Sequence, residues 1–101
     1  MIIATVSFAV APGKNFEAAE YFQQVVRQVK KLTDTDVRIL TQLGGPMGHI
    51  VLSSQYETLN AWDQARTKIA NDVPFQKAVA EAGKAGLFNP GSVVSGLWQQ
   101  A

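Results

Sequence analysis

Cysteine is absent from the 101 residues, and histidine occurs once, as His49. The first absence excludes disulfides, thiolate nucleophiles and cysteine-based metal sites. A single imidazole cannot build a multi-histidine zinc or copper site within one chain, so neither a metal nor a cofactor is expected. Charge of one sign is also lacking: 9 Lys and Arg stand against 8 Asp and Glu, a formal net charge of +1. Without a basic stripe, nucleic acid and anionic membrane surfaces are not expected partners. No apolar run approaches the roughly 20 residues of a membrane span. The opening Met1-Ile2-Ile3-Ala4-Thr5-Val6-Ser7-Phe8 has no basic flank and soon meets Pro12-Gly13-Lys14. It reads as a strand and not as a signal peptide, so a cytoplasmic protein is the expectation.

The residues that are present form an ordinary globular mixture, 47% hydrophobic and 17% charged. The length suits one domain over residues 1–101, with one core and little room for a large enclosed cavity. Residues 2–10 alternate as a strand, with Ile2, Ala4, Val6, Phe8 and Val10 on one face and Ile3, Thr5, Ser7 and Ala9 on the other. Ala18, Phe22, Val25, Val29 and Leu32 recur at helical spacing over about 16–32, with Asn15 as the expected cap. Two further alternating runs, about 37–43 and 49–56, flank Gly44-Gly45-Pro46-Met47-Gly48, a hairpin signal. Thr58 then caps a helical pattern whose apolar side is Leu59, Trp62, Ile69 and Val73. Pro74 restarts it at a first helical position, carrying Phe75, Val79 and Ala82. Asn89-Pro90-Gly91 turns the chain into a last strand, about 92–99. The order is β-α-β-β-α-β with the second helix split at Pro74, an α+β ferredoxin-like arrangement.

Such a sheet carries helices on one face and can leave the other to water, where it should be polar. Here it is mixed. With Val6, Phe8, Val37, Ile39, Leu43, Ile50 and Leu52 turned to the helices, the second face takes Ile3, Thr5, Ser7, Arg38, Leu40, Gln42, His49, Val51, Ser53 and Gln55. The last strand is expected to add Val93, Ser95 and Leu97. That face is too apolar for water and too polar for a dry core. It suits a partner sheet met around a partly wet space. The assignment takes a four-residue hairpin loop with Leu43 opposite Gly48, since a one-residue slip would invert a strand.

With that order and that face, the sequence resembles the dimeric α/β-barrel superfamily, and within it small NIPSNAP-like proteins. The resemblance covers nearly the whole chain. It rests on the first strand with Pro12-Gly13-Lys14, on Leu43-Gly44-Gly45-Pro46 with Gly48, on Tyr56-Glu57-Thr58-Leu59, and on Asp72-Val73-Pro74-Phe75. It implies a sheet-to-sheet homodimer and, in each subunit, a pocket between sheet and helices. The implied activities range from cofactor-independent oxygenation and haem degradation to isomerisation. Antibiotic-biosynthesis-type monooxygenases often show an aromatic-Glu-Ser junction and later a Pro-His pair. Tyr56-Glu57-Thr58 resembles the first element, but Phe75 follows Pro74 where the histidine would stand. Haem-degrading members need an axial histidine on a helix, whereas His49 falls on an expected strand. Both departures count against an oxygenase.

Four side chains are candidates for a ligand site: His49, Arg38, Trp62 and Tyr56. His49 has the one side chain whose ordinary pKa lies near neutrality, and is the candidate general base; it equally suits a solvated or dimer-bonded hairpin end. Arg38 can clamp a carboxylate or phosphate, or form an inter-subunit ion pair. Trp62 can wall a pocket for a flat molecule or simply pack in the core. Tyr56 and Tyr21 can orient a ligand or border the core, and Trp98 fits a packing anchor or dimer contact. The glycine-rich loop lacks the Lys-Ser/Thr of a phosphate cradle and joins two strands, so it is a turn. Two readings follow. One is a homodimer binding a small hydrophobic or aromatic molecule, extending to cofactor-independent monooxygenation in which a deprotonated, electron-rich substrate itself reduces oxygen. The other is a non-catalytic dimerisation module with Trp62 and Phe75 buried in a filled interior. RNA binding, open to the same topology, lacks its aromatic strands and basic surface.

Overall fold

The computed structural model describes residues 1–45, 48–89 and 91–101. Chain order is β1 (Ile2–Ala9), α1 (Asn15–Thr33), β2 (Val37–Thr41), β3 (His49–Tyr56), α2 (Leu59–Ala70), α3 (Val73–Lys84) and β4 (Val94–Gln99). The strands form one antiparallel sheet in the order β2-β3-β1-β4. This is the ferredoxin-like arrangement, with the second helix divided into α2 and α3. Among the described residues no helix is long and apolar enough to cross a membrane.

The period-2 and period-3.6 patterns meet in one core. Phe8, Val37, Ile39, Ile50 and Leu52 turn to the helices and pack with Phe22, Val25, Val29 and Phe75. The α1 stripe buries Ala18, Phe22, Val25 and Val29. One end of this layer is an aromatic cluster: Phe8 lies 5.1 Å from Phe22 and 5.0 Å from Phe88 between ring centroids, and Tyr21 lies 5.5 Å from Phe22. Tilted pairs of this kind add about 0.5–1.5 kcal/mol each beyond the area they bury.

The helix starts are set locally. The Pro12-Gly13 turn closes through Lys14 N–H donating to Ala11 O at 3.0 Å. That turn begins α1 one residue early: Lys14 occupies the cap position without a side-chain bond, and Asn15, the expected cap, is the first helical residue. Thr58 Oγ1 caps α2 by accepting from Ala61 N–H at 3.1 Å. The Asp72 carboxylate caps α3 by accepting from Phe75 N–H at 2.9 Å, with Pro74 in the first turn.

The hairpin register has Thr41 opposite Ile50 and Val37 opposite Ser54, which aligns Leu43 with Gly48 as expected. Pro46 and Met47 of that loop, and Pro90 of the later turn, lie outside the described residues. Three expectations change. Leu43 does not face the helices; β2 ends at Thr41, and Leu43 overhangs the ladder fully exposed. Leu59 and Val73 do not join an apolar side of α2. Leu59 projects at the helix start and Val73 lies beyond the break, both exposed, while Ala65 is the residue α2 buries.

The third change inverts β4. Val94, Gly96 and Trp98 pair with Ser7, Thr5 and Ile3, so they share the outer face; Ser95 and Leu97 pair with Val6 and Ala4 on the helix side. The turn absorbs the difference. Ser92 N–H and Oγ–H both donate to Asn89 O, and Ser92 Oγ accepts from Ala9 N–H. The strand therefore starts one residue after Val93, and a one-residue step exchanges the two faces. Trp98 Nε1–H donates to Thr5 Oγ1 at 3.2 Å across the strands, as this register requires.

Candidate functional site

The helix-facing side of the sheet loses volume from one end to the other. The row Phe8–Ile50 gives way to Val6–Leu52–Ile39, and then to Ala4–Ser54–Val37. Alanine and serine opposite each other cannot reach the helices that Phe8 and Ile50 reach at the far end. The space left between sheet and helices is a cavity of about 270 Å³. Ala4, Val6, Phe8, Val37 and Leu52 form its floor, Val25 and Val29 of α1 one wall, and Ile69, Phe75 and Val79 of α2 and α3 another. Of the twelve described residues that line it, only Ser54 and Tyr56 carry a polar side-chain group.

Size and lining bound what fits. Pockets for drug-sized ligands run from about 300 to 1,000 Å³, whereas a dry apolar cavity of about 150 Å³ accepts benzene. A space between these limits suits one ring or a short chain. Its lining offers apolar contact on nearly every side.

The four candidate residues do not converge. Tyr56 lines the cavity at the end of β3. Trp62 lies beside it in a groove of about 250 Å³ formed with Tyr56, Arg66, Ile69, Ala70 and Gln76. There the Arg66 guanidinium sits 5.3 Å from the Trp62 ring centre and pairs with Asp63 at 2.8 Å. Trp62 is half-buried and stands outside the core cluster.

Arg38 is exposed on the outer face opposite Ser53, in a third depression of about 530 Å³ with Asp34, Asp36, Gln55, Tyr56 and Glu57. Lys30 bridges Asp34 and Asp36 at 3.2 and 3.0 Å, and these two carboxylates hold the Lys30 ammonium above its ordinary pKa, Asp36 foremost. Arg38 forms no ion pair among the described residues. His49 is at the other end of β3 from Tyr56, seven residues or roughly 23 Å away at about 3.3 Å per residue. It is on the outer face opposite Ala9 and lines none of these three spaces. Tyr21 packs in the aromatic end, where burial raises its phenol pKa, and does not line the cavity. Among the described residues no group of three or more His, Cys, Asp or Glu is placed to hold a metal.

Sequence reasoning passed over Ala4 and Ser54. Their signal was legible in parity: Ser54 continues the inward positions of Ile50 and Leu52 but is polar, and Ala4 is the small member between Ile2 and Val6. A small or polar residue at an inward strand position marks either a void or a bonded site.

The outer face is the other open surface. Ile3, Ser7, Val51, Leu40, Val94 and Trp98 share it with Thr5, Ser53, Gln55, Arg38 and His49. Leu40 is 50% exposed, and Val94 and Trp98 are 61% exposed.

No protein-family model matches the sequence, and no functionally curated protein does. Solved structures do. An uncharacterized NIPSNAP domain protein from Burkholderia xenovorans superposes with a TM-score of 0.80 at 17% identity, over 100% of this chain and 95% of that one. A NIPSNAP family protein from Agrobacterium tumefaciens gives 0.80 at 15% identity, over 99% and 85%. An antibiotic biosynthesis monooxygenase-like protein from Deinococcus radiodurans gives 0.73 at 10% identity, over 100% and 93%. At these identities the likeness is one of fold. The chain has the α+β ferredoxin-like fold shared by NIPSNAP-domain and antibiotic biosynthesis monooxygenase-like proteins.

Proposed function

We propose that the protein is a NIPSNAP-like homodimer, each chain a single domain that binds a small apolar molecule between its sheet and its helices. The observation that carries this reading is the cavity of about 270 Å³ with its hydrocarbon lining. A non-catalytic module with a filled interior would have no such space. Of the two side chains that reading needs buried, Phe75 is buried but Trp62 is only half-buried.

The monooxygenase-like reading has less support. Oxygenation without a cofactor needs a base beside the substrate, and among the described residues neither an imidazole nor a carboxylate lines the cavity. His49 lies on the opposite face of the sheet. Of the candidate residues, Tyr56 is retained as a cavity residue and Trp62 as the wall of the adjoining groove. Arg38 and His49 are assigned to the outer face, where a partner sheet would meet them.

Toluene tests the reading by two-dimensional NMR. Added to the protein, it should shift signals of Ala4, Val29, Leu52 and Val79, while those of Ser7 and Val94 stay in place. Ala4→Leu and Ser54→Leu fill the space from adjacent strands, and each should abolish the shifts while the circular dichroism remains that of the parent. The absence of shifts in the parent, or their persistence in both filled variants, would sink the proposal.

A further inference from the structure

The polar groups of the cavity are not scattered. Ser54 and Tyr56 are two residues apart on β3, so both project from the same face of the strand, about 7 Å apart along it. They stand at the small end of the layer, next to Ala4 and Val37. The opposite end is closed by the aromatic cluster around Phe8. None of the side-chain hydrogen bonds among the described residues engages Ser54 or Tyr56. The lining is therefore apolar at one end and hydroxyl-bearing at the other.

The hydroxyl-bearing end is also the open one. β2 begins at Val37, opposite Ser54, so Gln55 and Tyr56 extend past it and pair with β1 alone. Ser54 and Tyr56 line both the cavity and the outer depression that holds Arg38. Tyr56 also borders the Trp62 groove, and is the one residue common to all three spaces. A molecule in the cavity would therefore meet the polar side chains of Ser54 and Tyr56 where the interior joins the surface.

Building on the proposed function, we infer that the ligand is a small apolar ring or chain bearing one neutral hydrogen-bonding group, which Ser54 and Tyr56 receive at the open end of β3. Neutrality follows from the lining, whose side chains offer a charged head of either sign no counter-charge, and an anion is further opposed by what lies outside. Asp34, Asp36 and Glu57 outnumber Arg38 in the adjoining depression, and Lys30 is engaged with the two aspartates. An anionic head would meet more negative than positive charge there. A hydroxyl or carbonyl meets two hydroxyls, each able to donate and to accept.

Three probes of similar shape separate the possibilities: toluene, p-cresol and p-toluate, titrated by NMR into the parent, Ser54→Ala and Tyr56→Phe. Both substitutions remove a hydroxyl and keep the surrounding shape. In the parent, p-cresol should bind more tightly than p-toluate. Loss of one hydroxyl leaves the cresol oxygen short of a partner, while toluene is indifferent to it. The ratio of the toluene to the p-cresol dissociation constant should therefore fall by about fivefold in at least one variant. A ratio unchanged in both variants, with toluene still bound, would overturn this inference and leave the proposed function standing. Tighter binding of p-toluate than of p-cresol would overturn it as well. If toluene does not bind the parent, both proposals fail together.

Discussion

A Cβ built on Gly96 would lie 2.7 Å from Trp98 Nε1 and 2.7 Å from Thr5 Oγ1. Glycine at this position lets the Trp98 indole fold back across the strand and donate to the threonine. Alanine would gain the roughly 0.5–1 kcal/mol that a strand glycine forfeits. It would also lose a hydrogen bond worth about 0.5–1.5 kcal/mol. These terms nearly cancel, and the indole is exposed enough to swing aside. Gly96→Ala should therefore change stability by less than about 1 kcal/mol in urea unfolding. In a Trp62→Phe background, however, it should shift Trp98 emission to longer wavelength. Unchanged emission would mean that the indole does not occupy this seat. Trp98 also marks the limit of reading residues one at a time. Its type suggested a packing anchor or dimer contact, but nothing in its neighbours announced a glycine two residues earlier as its seat. Ser54 differs: strand parity alone placed it inward, and only its small size hid its importance.

At the scale of elements, legibility followed the number of residues repeating one signal. The α1 stripe repeats over five positions, and four of them are buried. The β2–β3 hairpin was fixed by two alternating runs and a short loop, and its register follows. β4 offered a weaker alternation, and a turn bonded through Ser92 decided its phase. Helix α2 departs from its pattern because Leu59 stands at its first position and Val73 beyond its last, both exposed. The break between α2 and α3 was legible from Pro74, and its physical basis is Asp72. That carboxylate holds Phe75 N–H, and Phe75 is both a buried core residue and a cavity wall. Asp72→Ala should cost about 1 kcal/mol in urea unfolding, the usual value of a lost cap. It should also weaken toluene binding, because the first turn of α3 would no longer hold Phe75 in place. Asp72→Asn keeps the acceptor and should restore both. A variant that lost stability without any change in binding would show that the cap does not position the cavity wall.

The whole molecule presents two surfaces with separate demands. The cavity lies within one chain, between its own sheet and helices, whereas among the described residues no helix lies over the outer face of the sheet. Leu40, Val94 and Trp98, each at least half exposed, lie on that face in rows with Val51, Ser7 and Ile3. Contiguous apolar surface rimmed by polar side chains marks an association site, and a second copy of the same face offers the same mixture in return. Light scattering of the parent should give twice the 10.9 kDa chain mass. Val94 is the most informative position, since it is solvent-exposed in one chain and would be covered in a sheet-to-sheet pair. Val94→Asp costs the isolated fold little but would bury an unpaired carboxylate at the interface, typically a loss of several kcal/mol. Its mass should fall to that of one chain, with circular dichroism unchanged. A parent of single-chain mass, or a Val94→Asp variant that still pairs, would remove the outer face as the dimer surface. Toluene added to the monomeric variant should still shift Leu52 and Val79, because every lining residue comes from one chain. Loss of binding together with loss of pairing would mean that the cavity is held open by the partner, and that dimer and site are a single structural unit.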